Sequence, residues 1–162
     1  MAKIEFAPYL LMNEANIYSF RINDDKFSEF EKFLIMFKDV EDPLLLDDFN
    51  RIVLAVRKMS ENGILENYFR YEGKISDRVV AIPLEVRQNS RPRETLRLYC
   101  LRISDRLLII GNGGIKKTKT YQENQTLYQY VKMLQRIDKG LMDLEKNQLV
   151  IEDEILNIIL DV

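Results

Sequence analysis

The sequence predicts an α+β fold: an antiparallel sheet of about four strands packed on an N-terminal helical hairpin, with a further helix toward the C-terminus. Three observations predict it. Apolar residues recur at steps of three and four between Asn23 and Gly63, the spacing of amphipathic helices. The period drops to two between Val79 and Gly111, as in strands with alternating faces. Helical spacing then returns from Asn124.

The elements follow in order. Two short β-like pieces come first, residues 3–6 and 17–22, the second reading IYSFRI with aromatic and β-branched residues. Residues 13–16 suit the turn between them. In DDKFSEFEKFLIMFKDV, Phe27, Phe30, Leu34 and Phe37 share a helix face, and acids occupy the first turn, where the helix dipole favours them. Asp42 then caps a second helix with Pro43 at its first position. Leu46, Phe49, Val53, Val56 and Met59 form its stripe, and Gly63 closes it. Residues 79–86, 96–103 and 107–111 read as strands, the last two joined by a tight turn at Ser104-Asp105. LLII reads as a central strand buried on both faces. RQNSRPRE, residues 87–94, reads as a polar loop. In the last helix, Leu127, Val131, Leu134, Ile137 and Leu141 make the stripe, and Gly140 is a point of bending or ending. The tail LVIEDEILNIILDV fits a strand, a hairpin or a short helix.

A chain of 162 residues without an internal repeat or linker is expected to be a single domain with one core. It shows no run of apolar residues long enough to span a membrane and no secretory signal, so a cytoplasmic protein is expected. Histidine is absent. Zinc sites built on His and Cys and nucleophiles activated by His are therefore excluded, and any catalysis falls to Lys, Arg, Tyr, Asp or Glu. Cys100, inside the apolar run LRLYCLRI, is expected to pack as a small buried hydrophobe. The net charge of −2 is unevenly spread: residues 86–121 hold 9 Lys and Arg against 2 Asp and Glu, whereas residues 1–66 hold 8 against 13. Such a local basic strip can attract a polyanion despite the acidic total.

The strip ends in GNGGIKKTKTY, residues 111–121. It does not match the phosphate loop G-x-x-x-x-G-K-[ST] or the dinucleotide pattern G-x-G-x-x-G. As an extended chain it places Lys117, Lys119 and Tyr121 on one face, and Arg97 and Tyr99 share a face of the preceding strand. If those faces coincide, guanidinium, ammonium and phenol meet on one surface suited to phosphate and base. The alternative is a sheet edge guarded by lysines against pairing with another molecule.

LRLYCL at residues 96–101, the turn, LLIIGNGG at 107–114 and KKTKTY at 116–121 resemble the strand motifs of the RelE/HigB toxin superfamily of toxin–antitoxin systems, over about residues 43 to 140. The resemblance implies an endonuclease that cleaves messenger RNA on the ribosome and is silenced by a cognate antitoxin, a helix-turn-helix protein. It implies no metal and no cofactor, the RNA 2′-hydroxyl serving as nucleophile. Arg97 and Lys117 would neutralise phosphate, and Tyr121 would act as acid or stacking platform. Arg70, Lys74, Arg102, Lys116 and Lys119 would complete an RNA-binding surface. Asn112 stands where the family motif has His, and VVAIPL at 79–84 carries none of the lysines expected of that strand. A descendant that keeps the fold only to bind RNA or a helix-turn-helix protein is the alternative.

Overall fold

The structure, a computed structural model, describes residues 1–71, 77–82, 94–117 and 124–162, and of Tyr71 only the backbone. The elements are β1 (Lys3–Leu11), β2 (Asn16–Ile22), α1 (Glu29–Phe37), α2 (Pro43–Asn62), β3 (Arg70–Tyr71), β4 (Val79–Ile82), β5 (Thr95–Arg102), β6 (Leu107–Lys116), α3 (Gln125–Lys146), α4 (Ile151–Glu154) and β7 (Ile159–Asp161). Seven strands form one sheet in the order β3-β4-β5-β6-β2-β1-β7. All neighbours are antiparallel except β2 and β6, which run parallel.

This corrects the expectation of an N-terminal helical hairpin on a four-stranded antiparallel sheet. The strands come first, and the sheet is mixed and wider. The physical reason lies in IYSFRI. Ile17 belongs to one apolar cluster, and Tyr18 and Phe20 belong to the other, so β2 is buried on both faces. A strand of that kind must lie inside a sheet, and β2 does so by pairing with β6. The C-terminal tail supplies the outermost strand, β7, against the start of β1.

Helices cover both faces. On one side α1 and α2 bury Phe30, Phe33, Phe37, Leu45, Phe49, Ile52, Val56 and Met59 against Leu96, Leu98, Cys100, Leu108 and Ile110. On the other side α3 lays Leu127, Val131, Leu134, Ile137 and Leu141 on Tyr99, Leu101, Leu107 and Ile109. Helix α1 starts on a full capping box, Ser28 receiving the Glu31 N–H and Glu31 receiving the Ser28 N–H. Helix α2 starts on Asp42 and ends at Gly63, whose φ of 102° is left-handed. Its buried stripe is turned slightly from the expected one: Leu45 and Ile52 face the sheet, and Leu46 and Val53 lie at its margin. Helix α3 runs unbroken through Gly140, over which Leu160 of β7 packs so closely that a Cβ would stand 3.3 Å from Leu160 Cδ1.

Strand β6 extends through the glycines to Lys116, and it carries a bulge. Leu98 pairs with Gly113 and Cys100 with Ile110, so Gly111 and Asn112 together oppose Tyr99. A bulge inserts one residue and shifts the alternation of every side chain beyond it. Leu107 and Ile109 face α3 before it. After it, Gly114 and Lys116 do, while Ile115 packs on the α1/α2 side. Gly113 is required here, because a Cβ would collide with the Arg97 carbonyl oxygen across the ladder.

Strand β4 is tied to α3 by a polar network. Asp138, 1 % exposed, receives the Arg78 backbone N–H at 3.0 Å and its Nε–H at 2.7 Å, and Arg78 also reaches Glu145 at 2.9 Å. Burial opposes the charge of Arg78, but the two carboxylates outweigh it and raise its pKa further.

Candidate functional site, a pocket at the fork of the parallel strands

The ladder between β2 and β6 runs only from Asn16 opposite Leu107 to Tyr18 opposite Ile109. Beyond it Ser19, 2 % exposed, pins the junction. Its hydroxyl donates to the Ile110 carbonyl at 2.7 Å and accepts the Phe30 N–H at 3.1 Å. The second bond satisfies one of the first-turn N–H groups that a helix leaves without an internal partner. Helix α1 is thereby seated in the fork. In open α/β sheets, ligand crevices form outside the carboxyl ends of strands where neighbours diverge.

A cavity of about 210 Å³ opens there, lined by Phe20 and Ile22 of β2, Glu29 of α1, Asn112 of β6, and Gln129, Tyr130, Met133 and Arg136 of α3. For scale, an apolar cavity of about 150 Å³ takes up benzene. Five polar side chains from three elements line this pocket, and three of them, Asn112, Glu29 and Tyr130, are buried or half-buried. Asn112 is 6 % exposed, and its Oδ1 is occupied by the Gly113 N–H at 2.8 Å, which leaves Nδ2 as a donor toward the cavity. Glu29 is 5 % exposed and stands at the positive end of α1, with Lys32 Nζ at 2.7 Å from Oε2. That Oε2 is enclosed and has no hydrogen-bond partner beyond the ion pair. Tyr130 is half-buried, and its acidity is weakened first by burial and then by the charge of Glu29, against an opposing effect of Lys32. Its hydroxyl is therefore neutral at physiological pH and can donate or accept. Lys32 is itself held in place by Asp25 at 2.6 Å; burial works against its charge, but Asp25 and Glu29 raise its pKa overall.

The residues singled out in the sequence lie elsewhere. Arg97 pairs with Gly114 across the sheet, so it faces α3 on the same side as Lys116, and both are buried. Arg70 pairs with Ala81, which pairs with Tyr99, so it shares that face from the outer strand β3. Lys117 follows β6 in the next position and turns to the other face, where its Nζ lies 3.4 Å from Glu94 Oε1 and its side chain is 65 % exposed. Arg97 and Lys117 are thus not brought to one phosphate. Arg102 sits at the far end of β5 from Arg97, where its Nε–H donates to the Ile64 carbonyl at 2.8 Å. Lys74, Lys119 and Tyr121 lie outside the described residues. Cys100 is fully buried as expected, and burial pushes its thiol far above the usual range.

Sequence reasoning passed over Glu29, Gln129, Tyr130, Met133 and Arg136, and it treated Asn112 only as a replacement for His. One signal was present: an amide in the middle of the apolar strand LLIIGNGG is costly unless it has partners. Among the described residues no group of three or more His, Cys, Asp and Glu could hold a metal ion, and no helix is long and apolar enough to cross a membrane. No family model, no curated protein and no solved structure matches this chain.

Proposed function

We propose that this chain is a module that binds single-stranded RNA and accepts one unstacked base in the fork pocket. The observation that carries the reading is the pocket's polar set: a buried amide donor on Asn112, a buried carboxylate on Glu29 and a neutral phenol on Tyr130, with Phe20, Ile22 and Met133 as apolar walls. Proteins read single-stranded RNA in this manner, holding splayed bases against apolar and aromatic surfaces and hydrogen-bonding their edges. Arg136, exposed on the pocket wall, offers a planar donor fork to the adjoining phosphate. Among the basic residues of segment 86–121, the exposed Arg106 and Lys117 add long-range attraction.

Cleavage forms no part of this proposal. Transfer to the 2′-hydroxyl needs a base, a charge stabiliser and an acid converging on one phosphate, and Arg97 and Lys117 face opposite sides of the sheet. Of the toxin reading, RNA is kept as the ligand. The antitoxin and the ribosome are not invoked.

The test is fluorescence anisotropy with labelled RNA of about eight nucleotides, within the span one small domain covers. Single strands should bind more tightly than duplex of the same sequence and be recovered uncut. Asn112→Leu and Tyr130→Ala, each checked for folding by circular dichroism, should weaken binding about tenfold, the cost of one good polar contact. Absent binding, or binding indifferent to both substitutions, refutes the proposal.

A further inference from the structure

The outer face of α3 carries a charge pattern that the totals conceal. Residues 122–162 hold 4 Lys and Arg against 8 Asp and Glu, so the segment is acidic as a whole. Between Gln125 and Met142, however, the basic residues are Lys132, Arg136 and Lys139, and the single acid is Asp138. Asp138 is 1 % exposed and is engaged by Arg78 on the sheet side. The surface of these turns is therefore cationic, and exposed acid begins only at Asp143.

Residues three and four apart are neighbours on a helix, so Lys132, Arg136 and Lys139 form one row. The row lies opposite Leu127, Val131, Leu134 and Leu141, which are buried on the sheet. Arg136 and Lys139 are exposed, and Lys132 is partly so. The Lys132 ammonium stands 5.4 Å from the centre of the Tyr128 ring, one turn earlier, an attraction that keeps it on this face. None of the three joins an ion pair among the described residues, whereas Lys3, Lys32, Arg51, Arg78, Arg102 and Lys117 each do. Arg136 also lines the fork pocket, so row and pocket are continuous. Lys132 and Lys139 stand about 10 Å apart along the axis at 1.5 Å per residue.

Resting on the RNA-binding reading of that pocket, we infer that the outer face of α3 is the track for the sugar-phosphate backbone of the bound strand. With one base in the pocket, Arg136 meets the phosphate at its mouth, and Lys132 and Lys139 meet the phosphates to either side along the strand. Such a row supplies affinity without reading sequence, because phosphates are alike at every nucleotide. Asp143, exposed in the next turn, ends the track by repelling phosphate.

The test measures oligouridine and oligoadenosine of about eight nucleotides against the full chain, from about 50 to 200 mM salt. Each phosphate contact on a single strand adds about 0.7 to the slope of log affinity against log salt. Lys132→Gln/Lys139→Gln should therefore lower that slope by about 1.4 and weaken both oligomers by the same factor. The control, Lys38→Gln/Lys58→Gln, removes equal charge from exposed positions at the end of α1 and on α2, across the sheet, and should leave the slope unchanged. All four positions have exposed or partly exposed side chains, and circular dichroism checks that each variant is folded. A slope change in the α3 variant no larger than that of the control, or a loss confined to one oligomer, overturns the track and leaves RNA binding standing. No binding of either oligomer by the unmodified chain overturns both.

Discussion

Replacing Ser19 with Ala tests whether the fork is held as described. The hydroxyl is buried and serves two backbone groups, Ile110 C=O at 2.7 Å and Phe30 N–H at 3.1 Å. Ala fits the same space, so no large cavity is created and the loss isolates the hydrogen bonds. A buried donor left without a partner costs about 1–3 kcal/mol. The orphaned carbonyl costs less, because it keeps a second lone pair. The sum is about 2–4 kcal/mol, a large share of the 5–15 kcal/mol typical of a domain. At this chain length that corresponds to a Tm lower by about 5–15 °C.

Urea unfolding followed by circular dichroism measures it, with Ser104→Ala as the control. Ser104 also bonds twice, to Glu152 and to the Arg106 N–H, but it does so near the surface, where water replaces the lost partner at a cost of about 0.5 kcal/mol. Because Glu29 immediately precedes Phe30, Ser19→Ala should also weaken RNA binding under conditions where the variant remains folded. A Ser19→Ala cost within about 0.5 kcal/mol of the control would refute the role of Ser19 as the pin of the fork.

Three further outcomes are expected. Gly113→Ala should cost at least about 3 kcal/mol or prevent folding, since backbone of β5 blocks its Cβ; Gly114→Ala should cost about 1 kcal/mol or less in the same urea assay, because its Cβ meets only the end of the Leu127 side chain at 3.1 Å. Asp138→Ala should lose about 2–3 kcal/mol, less than a fully buried pair because Arg78 keeps Glu145, whereas Glu145→Gln should lose under about 1 kcal/mol. Burial raises the pKa of Tyr9, Tyr18, Tyr130 and Cys100 above their ordinary values of 10.0 for tyrosine and 9.0 for cysteine. In alkali the folded state therefore holds more protons than the unfolded one, and stability falls as pH rises. Urea midpoints should be level up to about pH 9 and decline above it; a rise would contradict the assignment.

The helices were legible because their signals are local. Asp42-Pro43, Gly63 and the three-four spacing fix α2 without reference to any other part of the chain. Its stripe was misplaced by one position at Leu46 and Val53 because the apolar arc is wider than one row of side chains. The sheet was legible only where strands are sequence neighbours, as in β5 and β6. Pairing of β2 with β6 joins residues 91 positions apart, at Asn16 and Leu107, and no short-range pattern encodes it. The same holds for β7, whose IleLeuAsp alternates like many tails and becomes a strand only because β1 offers an edge. The pocket is a tertiary object of this kind: Glu29, Asn112 and Tyr130 have nothing in common along the chain.

Arg97 and Lys117 are parted for a subtler reason. Counting alternate residues from Arg97 and from Lys117 assumes an unbroken pleat between them, and the bulge at Gly111 and Asn112 removes one step from that count. Yet the bulge that separates Arg97 from Lys117 also builds the pocket. Asn112 is the added residue; on an even pleat the amide would follow Ile110 toward the opposite face, the one covered by α1 and α2. Its neighbours must be small: a Cβ at Gly111 would stand 3.2 Å from Leu134 Cδ2 and from the Tyr99 carbonyl, and one at Gly113 would strike Arg97 backbone. The amide oxygen caps the next N–H and so fixes which end of the side chain faces inward. Bulges beside functional sites commonly re-aim a side chain in this way. The glycines of GNGG therefore serve the geometry of one amide, and the chemistry they permit is donation by Asn112 into the fork, not enclosure of a phosphate.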